Sequence, residues 1–258
     1  MSRGVLQLRI DARASGTVAY LTVDNRTKLN SLDSSLMREF AALIGSLAAR
    51  DDLRALVLTG AGERAFIGGA DISEMAALDR GRAQDFICLV HRTCDCLRHL
   101  PVPVIARIDG YALGAGLEVA VSCDLRVASS RAKFGMPEVR LGLPSAVEAA
   151  LLPRLVGFGH AAELVLLGET IDAETALRWG LIERAVAPEV LDAEVEKIIF
   201  ALLAAGPRAL RQQKTLLRGW EMLPVDAAIA AGIEAFVRAF ESDEPKRLLS
   251  GFAQGKRD

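Results

Sequence analysis

Carboxylates set among glycines mark where this chain could do chemistry. In Asp109-Gly-Tyr-Ala-Leu-Gly-Ala-Gly-Leu-Glu118, the residues Gly114, Ala115 and Gly116 open a helix. Its first N–H groups have no intrahelical acceptor and its dipole favours negative charge, so it suits a developing oxyanion. Glu118 falls in the first turn, where a carboxylate either complements the dipole or serves as an acid or base. In Arg64-Ala-Phe-Ile-Gly-Gly-Ala-Asp-Ile72, paired glycines free the backbone to present N–H groups at a strand-to-helix crossing. Asp71 followed by Glu74 reads there as a capping-box start, and a plain tight turn before a helix would use the same residues. In Phe134-Gly-Met-Pro-Glu-Val-Arg-Leu-Gly-Leu-Pro144, Glu138 sits in a loop where an acid is ordinarily solvated. It gains meaning from the other two segments, because two carboxyls sharing a water-poor pocket acquire unequal pKa values and so divide the work of base and acid.

The elements that must position these segments alternate. Val5 to Ile10 and Thr17 to Val23 read as two strands joined by a turn, and Asp33 caps a helix with its apolar stripe at Leu36, Phe40, Leu43 and Leu47. Arg54 to Gly60 is a compact apolar run, the pattern of a buried strand. The rhythm returns with a helix around Ala83 to Leu100, a strand from Val102 to Ile108, the small-residue helix from Gly114 and a strand from Asp124 to Ala128. Repeated strand-rich units with interposed helices predict an α/β fold, and periodicity alone leaves both a doubly wound sheet and a spiral open. From about Ala146 helix follows helix, with one short strand at Leu181 to Val186 and a stripe at Leu191, Val195, Ile198 and Leu202. The division expected is a core over 1–195 and a helical region over 196–258 that acts as an oligomerisation or lid element.

The totals narrow the class. The chain has 258 residues, 31 basic against 33 acidic, so no overall field draws it to nucleic acid or anionic lipid, and a polyanionic ligand needs a local basic patch. With no signal-like N-terminus and no apolar run expected to reach the roughly 18 residues of a membrane span, a cytoplasmic protein is expected. Cys88, Cys94, Cys96 and Cys123 suit neither a disulfide framework nor a zinc site and are expected to be reduced and buried. His91, His99 and His160 share no metal-ligand spacing, so no metal is expected, and Trp179 and Trp220 read as packing residues.

AFIGGADI, DGYALGAGLEVAVSCDLRVAS and FGMPEVRLGLP, in that order, resemble the signature segments of the crotonase (enoyl-CoA hydratase/isomerase) superfamily, most closely its hydratases. The similarity extends over essentially the whole chain, through LNSLD, PRLVG and GETIDAETALRWGLIERAV. The resemblance implies a crotonase-like spiral of ββα units with a C-terminal helical region that packs homotrimers, often paired into hexamers. It places the two thioester-binding N–H donors at Gly68 and Ala115 and the catalytic pair at Glu118 and Glu138. It also puts coenzyme A near Arg26, Lys28, Ala70, Asp71 and Ile72, where the two cations read equally well as solvated loop residues. The substrate implied is an acyl-CoA thioester, with coenzyme A part of the substrate and no further cofactor. Glutamates at both positions imply hydration of a trans-2-enoyl-CoA. An enoyl-CoA double-bond isomerase, or a non-catalytic acyl-CoA or RNA binder on the same scaffold, are the alternatives.

The pattern breaks after Glu138, where Leu143-Pro-Ser-Ala-Val-Glu-Ala-Ala150 replaces a glycine-rich stretch. Ser145, Val147 and Glu148 are expected to reshape the pocket beside the acyl chain, with Glu148 on a helix surface. Lys214, in the tail, is expected to reach the nucleotide of a neighbouring subunit.

Overall fold

A computed structural model describes residues 4–253. The chain opens with an antiparallel pair, β1 (Val5–Arg13) and β2 (Gly16–Asp24), followed by α1 (Ser34–Ala48), whose cap Asp33 accepts the Leu36 N–H as expected. Three units then repeat one plan. The first is β3 (Leu53–Gly60), β4 (Ala65–Ile67), α2 (Ile72–Met75) and α3 (Arg80–His99). The second is β5 (Val104–Ile108), β6 (Tyr111–Leu113) and α4 (Ala115–Ser122). The third is β7 (Leu125–Ser129) and β8 (Lys133–Gly135), followed by one-turn 3₁₀ helices at Pro137–Leu141 and Val147–Leu151 and by α5 (Leu152–Leu167). A partial turn follows, β9 (Thr170–Asp172), α6 (Ala173–Trp179) and β10 (Arg184–Val186). The tail is α7 (Leu191–Ala204), α8 (Pro207–Met222), α9 (Val225–Ala239) and α10 (Glu244–Ala253).

In each unit the first strand joins a six-stranded sheet, ordered β1-β2-β3-β5-β7-β10, and the second joins a four-stranded sheet, ordered β4-β6-β8-β9. β3, β5 and β7 pair in parallel, and so do β4, β6 and β8. Two sheets advancing in step make the fold a spiral of ββα turns, not a doubly wound sheet. The central strands β3, β5 and β7 of the large sheet are buried on both faces, which is why β3 reads as a compact apolar run. Ala19, Leu21, Leu56, Leu58 and Ala106 face the main core, and Val18, Ala55, Val57, Ile105 and Val127 face Leu191, Val195, Ile198 and Ile199 of α7. Helix α7 therefore crosses the 195/196 boundary expected from the sequence and packs as one stripe on the core.

The helical run Val147–Leu167 is by length and composition apolar enough to cross a membrane, contrary to the expectation that no run reaches that length. Here it is broken at Gly157 (φ 77°, ψ 159°) and packs Leu152, Val156, Ala161 and Leu164 inward. Cys94 and Cys123 are buried and unpaired, whereas Cys88 is exposed, contrary to expectation. Trp179 stacks on His160 at 4.1 Å, but Trp220 is half exposed.

Lys214 corrects another expectation. Its side chain is buried under α8, where Nζ donates to the carbonyls of Leu97 (3.0 Å) and Val102 (2.9 Å) and pairs with Asp124 at 2.7 Å. It docks the tail on the core and is not free for a ligand. Lys214→Ala leaves Asp124 short of a partner in a desolvated site, though Arg218 still bonds it at 2.8 Å. A loss of about 3 kcal/mol, the lower end for breaking a buried pair, is expected in urea unfolding; a loss below about 1 kcal/mol would remove this docking role.

Candidate active site

One cavity of about 750 Å³ gathers the three glycine-bearing segments. Gly68, Gly69 and Ala70 come from the end of β4, Leu113, Gly114, Ala115 and Glu118 from the β6–α4 junction, and Pro137 and Glu138 from the turn after β8. Phe86, Ile87 and Val90 of α3, with Met75, Leu78, Leu141 and Leu143, supply an apolar wall. The two sheets set this arrangement, because β4, β6 and β8 lie side by side and their C-terminal ends open on one place.

Close backbone approach locks the first two segments together. A Cβ on Gly116 would lie 1.9 Å from the Ile67 carbonyl oxygen, so only glycine lets α4 begin against the end of β4. Gly114 has φ 51° and ψ −124°, which side chains disfavour, and a Cβ there would meet Glu138 Oε1 at 2.3 Å. The sharp turn at Gly114 thus both starts the helix and makes room for the Glu138 carboxyl.

The backbone donors differ from the expected set at one position. Gly68 N–H already donates to the Leu29 carbonyl at 2.8 Å, so it is not available to a ligand. The Ala70 N–H is the one left free. Leu32 N–H bonds the Gly69 carbonyl and Asp71 N–H bonds the Leu32 carbonyl, both at 2.9 Å. Backbone groups alternate sides along an extended segment, so the Ala70 N–H between them faces away from Leu32. Among the described residues no acceptor is found for it or for the Ala115 N–H at the first position of α4. The sequence drew attention to the glycines, and nothing in it showed that the Asn25–Leu32 loop consumes one donor and spares the next but one.

Glu118 is buried at 4% exposure and accepts the Ala149 N–H on Oε1 at 3.0 Å. Burial pushes its carboxyl up to about 8, the negative charges of Glu138 and Glu148 add to this, and the Ala149 bond opposes it. Glu138 is half-buried, and its Oε2 accepts the Ser145 hydroxyl at 2.8 Å. Ser145 therefore holds the Glu138 carboxyl instead of lining the cavity, a contact the sequence did not suggest.

The residues expected near coenzyme A are only partly brought together. Ala70 and the exposed Ile72 line the cavity, whereas Lys28 and Asp71, paired at 2.5 Å, do not. Asp71 also caps α2 through the N–H groups of Ser73 and Glu74, while Glu74 bonds the Ser34 N–H and so does not complete a reciprocal box. Burial alone would raise the Asp71 carboxyl, but Lys28 and the two N–H groups outweigh it and hold it below the usual range. Arg26 is exposed, pairs with Asp24 at 2.9 Å and does not line the cavity. No His, Cys, Asp and Glu grouping able to hold a metal ion occurs among the described residues.

An apolar cavity on which two free backbone N–H groups and two carboxyls converge is equipped to stabilise an enolate oxygen and move protons beside it. Residues 13–258 match the enoyl-CoA hydratase/isomerase family model, and the chain belongs to that family. It is 36% identical to the short-chain-enoyl-CoA hydratase of Clostridium acetobutylicum, over 94% of this chain and 93% of that one. Its identity to the crotonyl-CoA hydratase of Syntrophomonas wolfei is 33%, over 93% of each chain. The crystal structure of an enoyl-CoA hydratase from Bacillus anthracis superposes with a TM-score of 0.91 at 28% identity, covering 96% of both chains.

Proposed function

We propose that the protein is an enoyl-CoA hydratase that adds water reversibly to a trans-2-enoyl-CoA. The observation that carries this reading is the pair Glu118 and Glu138 facing one cavity with the N–H groups of Ala70 and Ala115. The thioester oxygen lies between the two N–H groups. Water bonds to C3 as its proton passes to the ionised carboxylate, and the C2–C3 π electrons move onto the thioester as an enolate. The enolate then collapses as C2 takes a proton from the protonated carboxyl, leaving the pair with one proton, as it began. Each N–H donor is worth about 3 kcal/mol of barrier, and the two carboxyls about a hundredfold or more each. Burial favours the protonated form of Glu118, which suits it to hold the proton before substrate binds.

Ala70 and Ile72 line the cavity where the coenzyme A portion is taken up, Lys28 stands behind them on Asp71, and coenzyme A is substrate, not a resident cofactor. A homotrimer or dimer of trimers is supported by α9, which buries no residue and leaves Val225, Ile229, Ile233, Phe236 and Val237 more than half exposed.

The test supplies purified protein with a short trans-2-enoyl-CoA and, separately, a 3-enoyl-CoA, and follows products by mass. A gain of one water on the 2-enoyl substrate is expected. Conversion of the 3-enoyl to the 2-enoyl thioester with no water gained at any chain length would replace hydration by double-bond isomerisation.

A further inference from the structure

A third carboxyl stands behind the pair. Glu148 is only 6% exposed, which overturns the expectation that it lies on a helix surface. Its Oε1 lies 2.8 Å from His91 Nδ1, and its Oε2 is buried with no hydrogen-bond partner. With Glu148 ionised its oxygens only accept, and Nδ1 is then the donor in that bond. The residue before it, Val147, has φ 38°, a left-handed conformation that a β-branched side chain disfavours. Such strain costs about 1–3 kcal/mol and persists only where the surroundings over-determine it. The residue after it, Ala149, donates its N–H to Glu118. Strain, buried charge and the bond to the catalytic acid thus fall on three successive residues.

We propose that Glu148, tied to His91, is a positioning residue for Glu118. It pins the Val147–Leu151 turn so that the Ala149 N–H holds one Glu118 oxygen and leaves the other to the cavity, and it sets a second negative charge behind Glu118. The role as stated rests on the hydratase reading of the site.

The surroundings of the two acids make the charge effective. Burial pushes the Glu148 carboxyl above its ordinary value; from α3, His91 and Arg98 oppose this and so favour its charge, Asp95 adds to the rise, and the buried Cys94 thiol feels both Glu148 and Glu118. Burial pushes the Cys94 thiol well up, so it is neutral and screens nothing. From the Pro137–Leu141 turn, Glu138 adds its charge to that of Glu148. In a desolvated pocket a like charge of this kind favours the protonated form of its neighbour.

Glu148→Gln in the full chain keeps the shape and removes the charge. With a short trans-2-enoyl-CoA, kcat is expected to fall about tenfold or more, the size usual for residues that orient a site from outside it. KM is expected to stay within about twofold, since no substrate contact is lost. The alkaline limb of kcat/KM is expected to move to lower pH, and carboxyl NMR of the ligand-free protein to show Glu118 titrating lower by the same amount. Wild-type kcat together with an unmoved Glu118 titration would overturn the proposal. Should the Gln variant not fold, the exposed His91 serves instead: His91→Ala should lower kcat at constant KM, and His91→Gln, whose amide still donates, should restore most of it. Wild-type kcat in His91→Ala would likewise overturn it. Failure of the hydratase reading shows separately, as absence of water addition by the unaltered protein, and leaves the NMR titration to decide the role of Glu148.

Discussion

Glu138→Gln is expected to lower kcat at least about a hundredfold, the lower end of a general acid–base contribution, while KM changes little. The amide fills the same space and still accepts the Ser145 hydroxyl, so the loss reports proton transfer and not collapse of the turn. A protein that only binds acyl-CoA would keep its affinity and show no turnover to lose, and retained turnover in Glu138→Gln would remove this carboxyl from the chemistry. Glu118→Gln should be equally inactive, with a second signature in stability. The folded-state value of Glu118, about 8, lies above its unfolded value, so the favourable contribution of its protonated form is complete below the unfolded value and is lost as pH rises through about 8. The native protein should therefore lose stability across that window more steeply than Glu118→Gln, whose amide never ionises. Thermal unfolding at mildly acidic and at mildly alkaline pH measures the difference. Equal slopes would mean that Glu118 is not held protonated. The expected pattern, an inactive variant more stable at alkaline pH, is that of an active site that sacrifices stability for function.

The same unequal treatment of two acids shows where sequence and structure part. Long elements were legible because burial imposes a period: Leu36, Phe40 and Leu47 of α1 and nearly all of β3 are in the core. The strands β6 and β8 were not, since three residues give no alternation to read, and Tyr111–Leu113 passed for a turn, while β4 showed only as the strand end of a strand-to-helix crossing. Yet those short strands bring the glycine-bearing segments together. The donors illustrate the limit further. A glycine pair signals backbone freedom, but which N–H remains free is decided by a partner some forty residues earlier, Leu29 taking Gly68 and Leu32 leaving Ala70. Glu148 was misplaced because a glutamate in an apolar helical run is ordinarily solvated. Its burial depends on His91 across the packing of α3 and on a left-handed Val147, and local sequence records neither.

Gly114→Ala should abolish most activity in a protein that still folds, and Gly116→Ala should fail earlier, at folding. The two positions are separated by one residue, and the difference lies in what a methyl group would strike. At Gly116 it would sit 1.9 Å from the Ile67 carbonyl oxygen, part of a strand that cannot yield without parting α4 from β4. At Gly114 the neighbour is the end of a side chain, Glu138 Oε1, which can swing away. The cost to the fold is then mainly the strained backbone, about 1–3 kcal/mol. The cost to catalysis is larger. A displaced Glu138 forfeits its proton transfer, and relaxing the turn re-aims the Ala115 N–H that follows it, a donor worth about 3 kcal/mol, or roughly a hundredfold, in the transition state. Together these predict a fall in kcat of about a thousandfold or more, since two contributions that act on one enolate are lost at once. Circular dichroism and steady-state kinetics on the two variants test this directly. A folded, active Gly114→Ala would mean that neither the room made for Glu138 nor the aim of Ala115 governs the rate, and that the oxyanion site is built elsewhere.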